Sequence, residues 1–130
     1  MPAKRVLRPD RLRRVPAQFS WVDQKLVREG YIGRCNANAL SLYLMLVTVA
    51  DAQGLSYYGD ASIGRLLSMP PAQLERARAD LIRLGLIAYE RPLYQVLSLE
   101  PPAPLRVTGV HSVRAVLSRS PLLADPRRRP

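Results

Sequence analysis

Apolar positions change their spacing several times along the chain, and each change marks an element. From residue 36 to about 51, apolar side chains crowd every face: Leu40, Tyr43, Leu44 and Val47 make one stripe, and Leu42, Met45, Leu46 and Val49 fill much of the other side. The pattern predicts the strongest helix of the chain, opened by Asn36 and closed by Ala52-Gln53-Gly54. A helix apolar all round is expected to be buried all round. Ahead of it, residues 19–29 predict a shorter helix with Ser20 as cap, Val22 and Leu26 one turn apart and Gly30 as stop, with Trp21, Tyr31 and Ile32 packing beside it. Behind it, Leu55-Ser56-Tyr57-Tyr58 reads as a strand that Gly59 ends. Asp60 is placed to cap a helix over 61–67, and Ser68-Met69-Pro70-Pro71 breaks it. The next helix runs from Pro71 or Ala72 to Leu84 and stops at Gly85, with Leu74, Ala77, Leu81 and Leu84 as its single apolar stripe. Two β-rich runs follow, Leu86-Ile87-Ala88-Tyr89 and Leu93-Tyr94-Gln95-Val96-Leu97, joined by Glu90-Arg91-Pro92. The fold class is therefore mostly α with a small β-hairpin, an α+β arrangement.

Helix, tight turn, helix and hairpin is the order of a winged helix-turn-helix. The stretch Ser62-Ile-Gly-Arg-Leu-Leu-Ser-Met-Pro-Pro-Ala-Gln-Leu-Glu-Arg-Ala-Arg-Ala-Asp-Leu-Ile-Arg-Leu-Gly-Leu-Ile87 resembles winged helix-turn-helix domains of bacterial transcription regulators, and is similar to the amino-terminal domains of plasmid and phage replication initiators. More loosely, residues 19–99 resemble small helix-turn-helix proteins of bacterial mobile elements. The resemblance implies double-stranded DNA as partner, a homodimer, and base readout near the start of the second helix, where Gln73 and Arg76 are the matching residues and Ala72 lies close to the groove. Arginine favours guanine and glutamine favours adenine through paired hydrogen bonds; the alternative for both is an ordinary solvated face. Glu75 and Asp80 depart from a DNA-facing helix. Glu75 can accept a hydrogen bond from cytosine, whereas Asp80 is expected to pair with Arg76 or Arg83. Arg65 on the first helix and Arg91 at the hairpin turn, the wing, are further contact candidates against the plain reading of surface arginines. Arg78 stands where relatives place an apolar residue, and is expected to run along the core and pair with an acid.

Charge divides the chain into three. With 130 residues and 48% hydrophobic content there is one domain with tails: a basic flexible arm over 1–18, the helix-turn-helix domain over 19–99 and a Pro/Arg-rich tail over 100–130. Of the net charge of +10, Lys4, Arg5, Arg8, Arg11, Arg13 and Arg14 against Asp10 supply +5, while residues 35–99 hold five arginines and five acids. A neutral core weighs against DNA binding but is compatible with it where basic arms supply the phosphate attraction and enter a minor groove; Arg127-Arg128-Arg129 repeats that signal more weakly. The same neutrality fits an adaptor that docks a larger replication or transposition protein. An RNA-binding protein of ribosomal type uses basic arms similarly, but the helix-turn-helix order favours it less.

Catalysis finds little support. Cys35 and His111 are the only residues of their kinds and lie in different segments, which opposes a nucleophile pair or a zinc site, and the scattered acids form no two-metal cluster. No enzyme activity, cofactor or metal is expected. A single cysteine fits a reducing cytosol, with Cys35 buried and inert, and the resemblance implies a bacterial, nucleoid-associated protein in that compartment. The uncharged run over 35–50 is too short to span a bilayer, so no membrane partner is expected, and Pro2, Pro9 and Pro16 oppose a targeting helix at the start. Tyr57, Tyr58, Tyr89 and Tyr94 are expected in the core. Pro101-Pro102-Ala103-Pro104 reads as a stiff linker, and residues 112–118 as two helical turns.

Overall fold

Asn36 opens the central helix as its sequence suggests: its Oδ1 accepts the Ala39 N–H at 2.9 Å while its own backbone is extended. In the computed structural model, which describes residues 3–99, this helix is the second of four; the expected linker, the helical turns over 112–118, His111 and Arg127-Arg128-Arg129 lie outside the described residues. The elements are α1 (Lys25–Arg28), α2 (Ala37–Val49), β1 (Leu55–Tyr57), α3 (Asp60–Leu67), α4 (Pro71–Arg83), β2 (Ile87–Glu90) and β3 (Leu93–Val96), with 3₁₀ turns at Pro9–Arg11 and Ile32–Arg34. The fold is α+β, with one antiparallel sheet in the order β1-β3-β2.

Burial of α2 is one-sided, against expectation. Ala39, Leu42, Tyr43, Leu46 and Val47 join Ile63 of α3, Leu74, Ala77 and Leu81 of α4, and Leu86, Ile87 and Tyr94 in the core. Leu44, however, is exposed, and Leu40, Met45 and Val49 are half-buried. Residues 19–32 leave Leu44 uncovered. Of the helix predicted over 19–29 only Lys25–Arg28 is helical, with Gln24 rather than Ser20 at its cap position and Asp23 Oδ1 accepting the Lys25 N–H at 2.8 Å just ahead of it. Ser20 instead donates to the Thr48 carbonyl at 2.8 Å. Phe19, Trp21, Val22 and Ile32 stay exposed, and the segment sends Leu26 inward. A single apolar pair one turn apart is too little tertiary contact to offset the cost of nucleating a longer helix.

Asp51 turns the chain from α2 into β1, its Oδ1 accepting the N–H groups of Gln53 and Leu55 at 2.8 and 2.9 Å. Gly54 follows at φ +86°, where an added Cβ would lie 2.6 Å from the Val96 carbonyl oxygen. Asp60 does not cap α3. Gly59 takes the cap position, and Asp60 is the first helical residue, its carboxylate committed to Arg78. The turn between α3 and α4 is tight: Ser68 is left-handed at φ 52°, Met69 N–H reaches back to the Gly64 carbonyl at 3.0 Å, and Met69 is buried. A Cβ on Gly64 would lie 3.1 Å from the Met69 carbonyl oxygen, a contact tight enough that the turn would have to shift by a few tenths of an ångström.

Pro71 begins α4, where its missing N–H costs nothing. The helix ends in a Schellman motif: Leu86 N–H donates to the Leu81 carbonyl and Gly85 N–H to that of Ile82, both at 3.0 Å. In the hairpin, Glu90 opposes Leu93, leaving Arg91-Pro92 as the tip, and Tyr57 of β1 flanks Leu93 from the other side. Tyr94 is buried and Tyr58 and Tyr89 are half-buried, but Tyr57 is exposed, because it ends an edge strand with no element packed over it.

Candidate nucleic-acid interface

The apolar stripe of α4 faces the core, which turns Ala72, Glu75, Arg76, Ala79, Ile82 and Arg83 outward. Arg76 has no side-chain partner among the described residues, and small alanines flank it one turn to either side. Asp80 pairs with Arg83 at 2.9 Å, the second of its two expected partners. Gln73 is different. It is half-buried at the border of this face, its Oε1 accepting from Asn38 Nδ2 of α2 at 3.4 Å. Of the three expected readers, Ala72 and Arg76 thus share the open face, while Gln73 is turned toward α2. Asn38 was not singled out from sequence; its signal was a polar residue in the first turn of an otherwise apolar helix. Arg65 is exposed on α3, where Nη2 meets Ser62 Oγ at 3.5 Å, and Arg91 is exposed at the hairpin tip.

Arg78 runs along the core and pairs with an acid, as expected. Its side chain is only 11% exposed, with Nη1 donating to Asp60 Oδ1 at 2.9 Å and to the Tyr94 hydroxyl at 2.8 Å. The guanidinium also stacks on the Tyr89 ring, 4.5 Å from its centre, and the rings of Tyr89 and Tyr94 lie 4.5 Å apart. Burial opposes the charge on Arg78, but the bonds to Asp60 and Tyr94 outweigh it and hold the guanidinium charged above its ordinary range. Burial likewise pushes the Tyr94 phenol up, with the Arg78 donor opposing. One side chain therefore ties the start of α3, the middle of α4 and the hairpin together, and fixes how the open face of α4 sits relative to the strands that carry Arg91.

Residues 3–20 are exposed throughout. Within this arm Arg8 is paired with Asp10 at 2.7 Å, whereas Lys4, Arg5, Arg11, Arg13 and Arg14 have no partner among the described residues. Ser20 roots the arm at Thr48, near the end of α2 that leads into β1. Leu55 opposes Gln95, so this is the end of the sheet remote from the hairpin tip. Reach is nonetheless ample: an extended chain covers about 3.3–3.6 Å per residue, so the fifteen or so residues back to Lys4 span roughly 50 Å, more than the roughly 20 Å length of α2.

Cys35 is half-buried, its thiol directed at the Tyr31 carbonyl at 3.6 Å, and burial pushes its pKa up, which keeps it in the thiol form. Among the described residues no group of three His, Cys, Asp or Glu side chains is arranged to hold a metal ion, and no helix is long and apolar enough to cross a membrane. Compared with known protein families, curated proteins and solved structures, the chain matches none.

Proposed function

We propose that the protein binds double-stranded DNA as a winged helix-turn-helix, with α3 and α4 as the helix-turn-helix and the β2–β3 hairpin as the wing. The observation that carries this reading is the open face of α4: an unpartnered Arg76 between Ala72 and Ala79, on a helix held by Arg78 against a sheet of order β1-β3-β2. Small neighbours let the helix sit close to a groove floor, where Arg76 pairs with the O6 and N7 of a guanine. Gln73 reads a neighbouring base from the border of the face. Arg65, Arg91 and the arm contact phosphates, which orient the protein without carrying sequence information. The role is transcription control, or an accessory task in replication or transposition of a bacterial mobile element, in the nucleoid of the cytoplasm.

Selection from random duplexes tests this. Enrichment of a motif is expected, and Arg76→Ala should weaken the selected site by about 1–3 kcal/mol while barely changing random DNA. Equal weakening of both makes Arg76 a phosphate contact and removes the reading face. One observation favours a second reading, an adaptor for a larger protein: Glu75 and Ile82 share the open face, and residues 35–99 carry no net charge. Failure to enrich any motif selects it.

A further inference from the structure

A segment that only has to meet phosphates or stay dissolved needs cations, yet the arm also carries large apolar side chains. Residues 3–22 are exposed without a break. Among them Val6, Leu7, Leu12, Val15, Phe19 and Trp21 stand 55–76% exposed. Leu7 lies between Arg5 and Arg8, Leu12 between Arg11 and Arg13, and Val15 follows Arg14, so the two kinds of side chain are interleaved along one stretch. Phe19 and Trp21 flank Ser20, whose hydroxyl is bonded to the Thr48 carbonyl at 2.8 Å. The aromatic pair is therefore held against the folded domain, at the foot of the arm. Exposed apolar residues scattered singly need no explanation, whereas a concentration of them rimmed by charge marks a contact surface.

We infer that residues 4–22 adsorb to the surface of a bilayer rich in anionic phospholipid. Water suits the cations alone. A DNA groove takes the cations and admits an occasional apolar wedge between base steps, not six large side chains along an irregular strand. An anionic bilayer surface takes both: its headgroups attract Lys and Arg, its acyl boundary accepts Leu, Val and Phe, and tryptophan settles at headgroup level. The backbone stays among the headgroups, because irregular chain cannot satisfy its N–H and C=O groups in hydrocarbon. The uncharged run in α2 is too short for a span, which bears on crossing the bilayer and not on adsorbing to it. Each cation near an anionic surface strengthens binding about fivefold, so the five without a partner among the described residues give roughly a thousandfold. One weak anchor binds only marginally, and firm attachment takes a second signal; the arm supplies charge and apolar area together. Adsorption goes beyond the DNA-binding reading, which employs the same cations and leaves the apolar side chains idle.

Trp21 is the only tryptophan, so its emission reports on the foot of the arm alone. The full chain, free of nucleic acid, is mixed with vesicles of phosphatidylcholine and with vesicles in which half the lipid is phosphatidylserine. It should sediment with the second kind and not the first, with Trp21 emission shifted to the blue and shielded from acrylamide. Arg11→Gln, Arg13→Gln and Arg14→Gln together should weaken binding about a hundredfold. Leu12→Ser with Phe19→Ser, which leaves every charge in place, should weaken it about tenfold or more. Circular dichroism should be unchanged in both variants, because all five sites are exposed. Sedimentation with Trp21 emission unchanged, or binding that Leu12→Ser with Phe19→Ser leaves intact, makes the arm a plain charge run and overturns the inference. Equal binding to both vesicles overturns it too, as does a chain that binds duplex DNA but neither vesicle. Since the vesicle mixtures hold no nucleic acid, failure there leaves the reading face of α4 as it stands.

Discussion

Arg78→Met keeps the aliphatic stem of a nearly buried side chain and removes its guanidinium. Three hydrogen bonds end with it, two to the Asp60 carboxylate at 2.9 and 3.3 Å and one to the Tyr94 hydroxyl at 2.8 Å, and so does the stacking on Tyr89. The three losses differ in weight. The Asp60 side chain is 42% exposed, so water takes up its freed carboxylate and the ion pair is worth about 1 kcal/mol. Tyr94 is fully buried, and leaving its hydroxyl short of a partner costs about 1–2 kcal/mol. Loss of the cation from the Tyr89 ring costs about 0.5–1 kcal/mol. Methionine recovers about 1 kcal/mol, because no charge need be desolvated and a thioether packs well. The net expectation is a loss of about 1.5–3 kcal/mol, or a midpoint lower by about 6–24 °C for a domain of this size. Urea unfolding followed by circular dichroism measures it. The reasoning also predicts coupling: Tyr94→Phe placed on Arg78→Met should cost about 1 kcal/mol less than on the natural chain, since the hydroxyl has already lost its donor. A single-variant loss below about 0.5 kcal/mol, or strict additivity in the pair, refutes the claim that Arg78 holds α3, α4 and the hairpin together.

Starting the chain at Val15 should flatten the slope of log affinity against log salt by up to about 4–5 units, because each neutralised phosphate contributes about 0.9. The ranking of DNA sequences and the unfolding midpoint should both hold, and an unchanged slope means the arm does not touch DNA. Ser68→Gly should raise stability by about 0.5–1 kcal/mol in urea, since Ser68 occupies a left-handed conformation that glycine adopts without strain; a lower midpoint would count against that account of the turn. Burial raises the phenol pKa of both Tyr43 and Tyr94 in the folded chain. Their contribution to stability is therefore complete below the unfolded value of about 10 and is lost as pH rises from there through the folded values, so the unfolding midpoint should fall in alkali, less steeply in Tyr43→Phe.

Pattern alone was sufficient for α2, α4 and the hairpin, because what specifies them lies within a few residues along the chain. Asn36 reaches Ala39, Pro71 stands where no N–H is needed, Gly85 closes α4, and the stripe Leu74, Ala77 and Leu81 repeats at the helical period. The outward direction of Ala72 and Arg76 follows from that stripe. Distant partners decided the rest. Asp60 has the chemistry of a cap, but a guanidinium eighteen positions later binds its carboxylate more strongly than a backbone N–H of its own helix. Gln73 lies on the edge of the α4 stripe, and only the packing of α2 brings Asn38 to it. The residues over 19–29 carry enough apolar side chains for a helix, yet a short helix persists only where packing covers its face, and there α2 offers Ser20 a carbonyl and leaves Phe19 and Trp21 in solvent. Local hydrogen bonds and periodicity are written in neighbouring residues, whereas which face of α2 is covered depends on the total area its neighbours can bring to it.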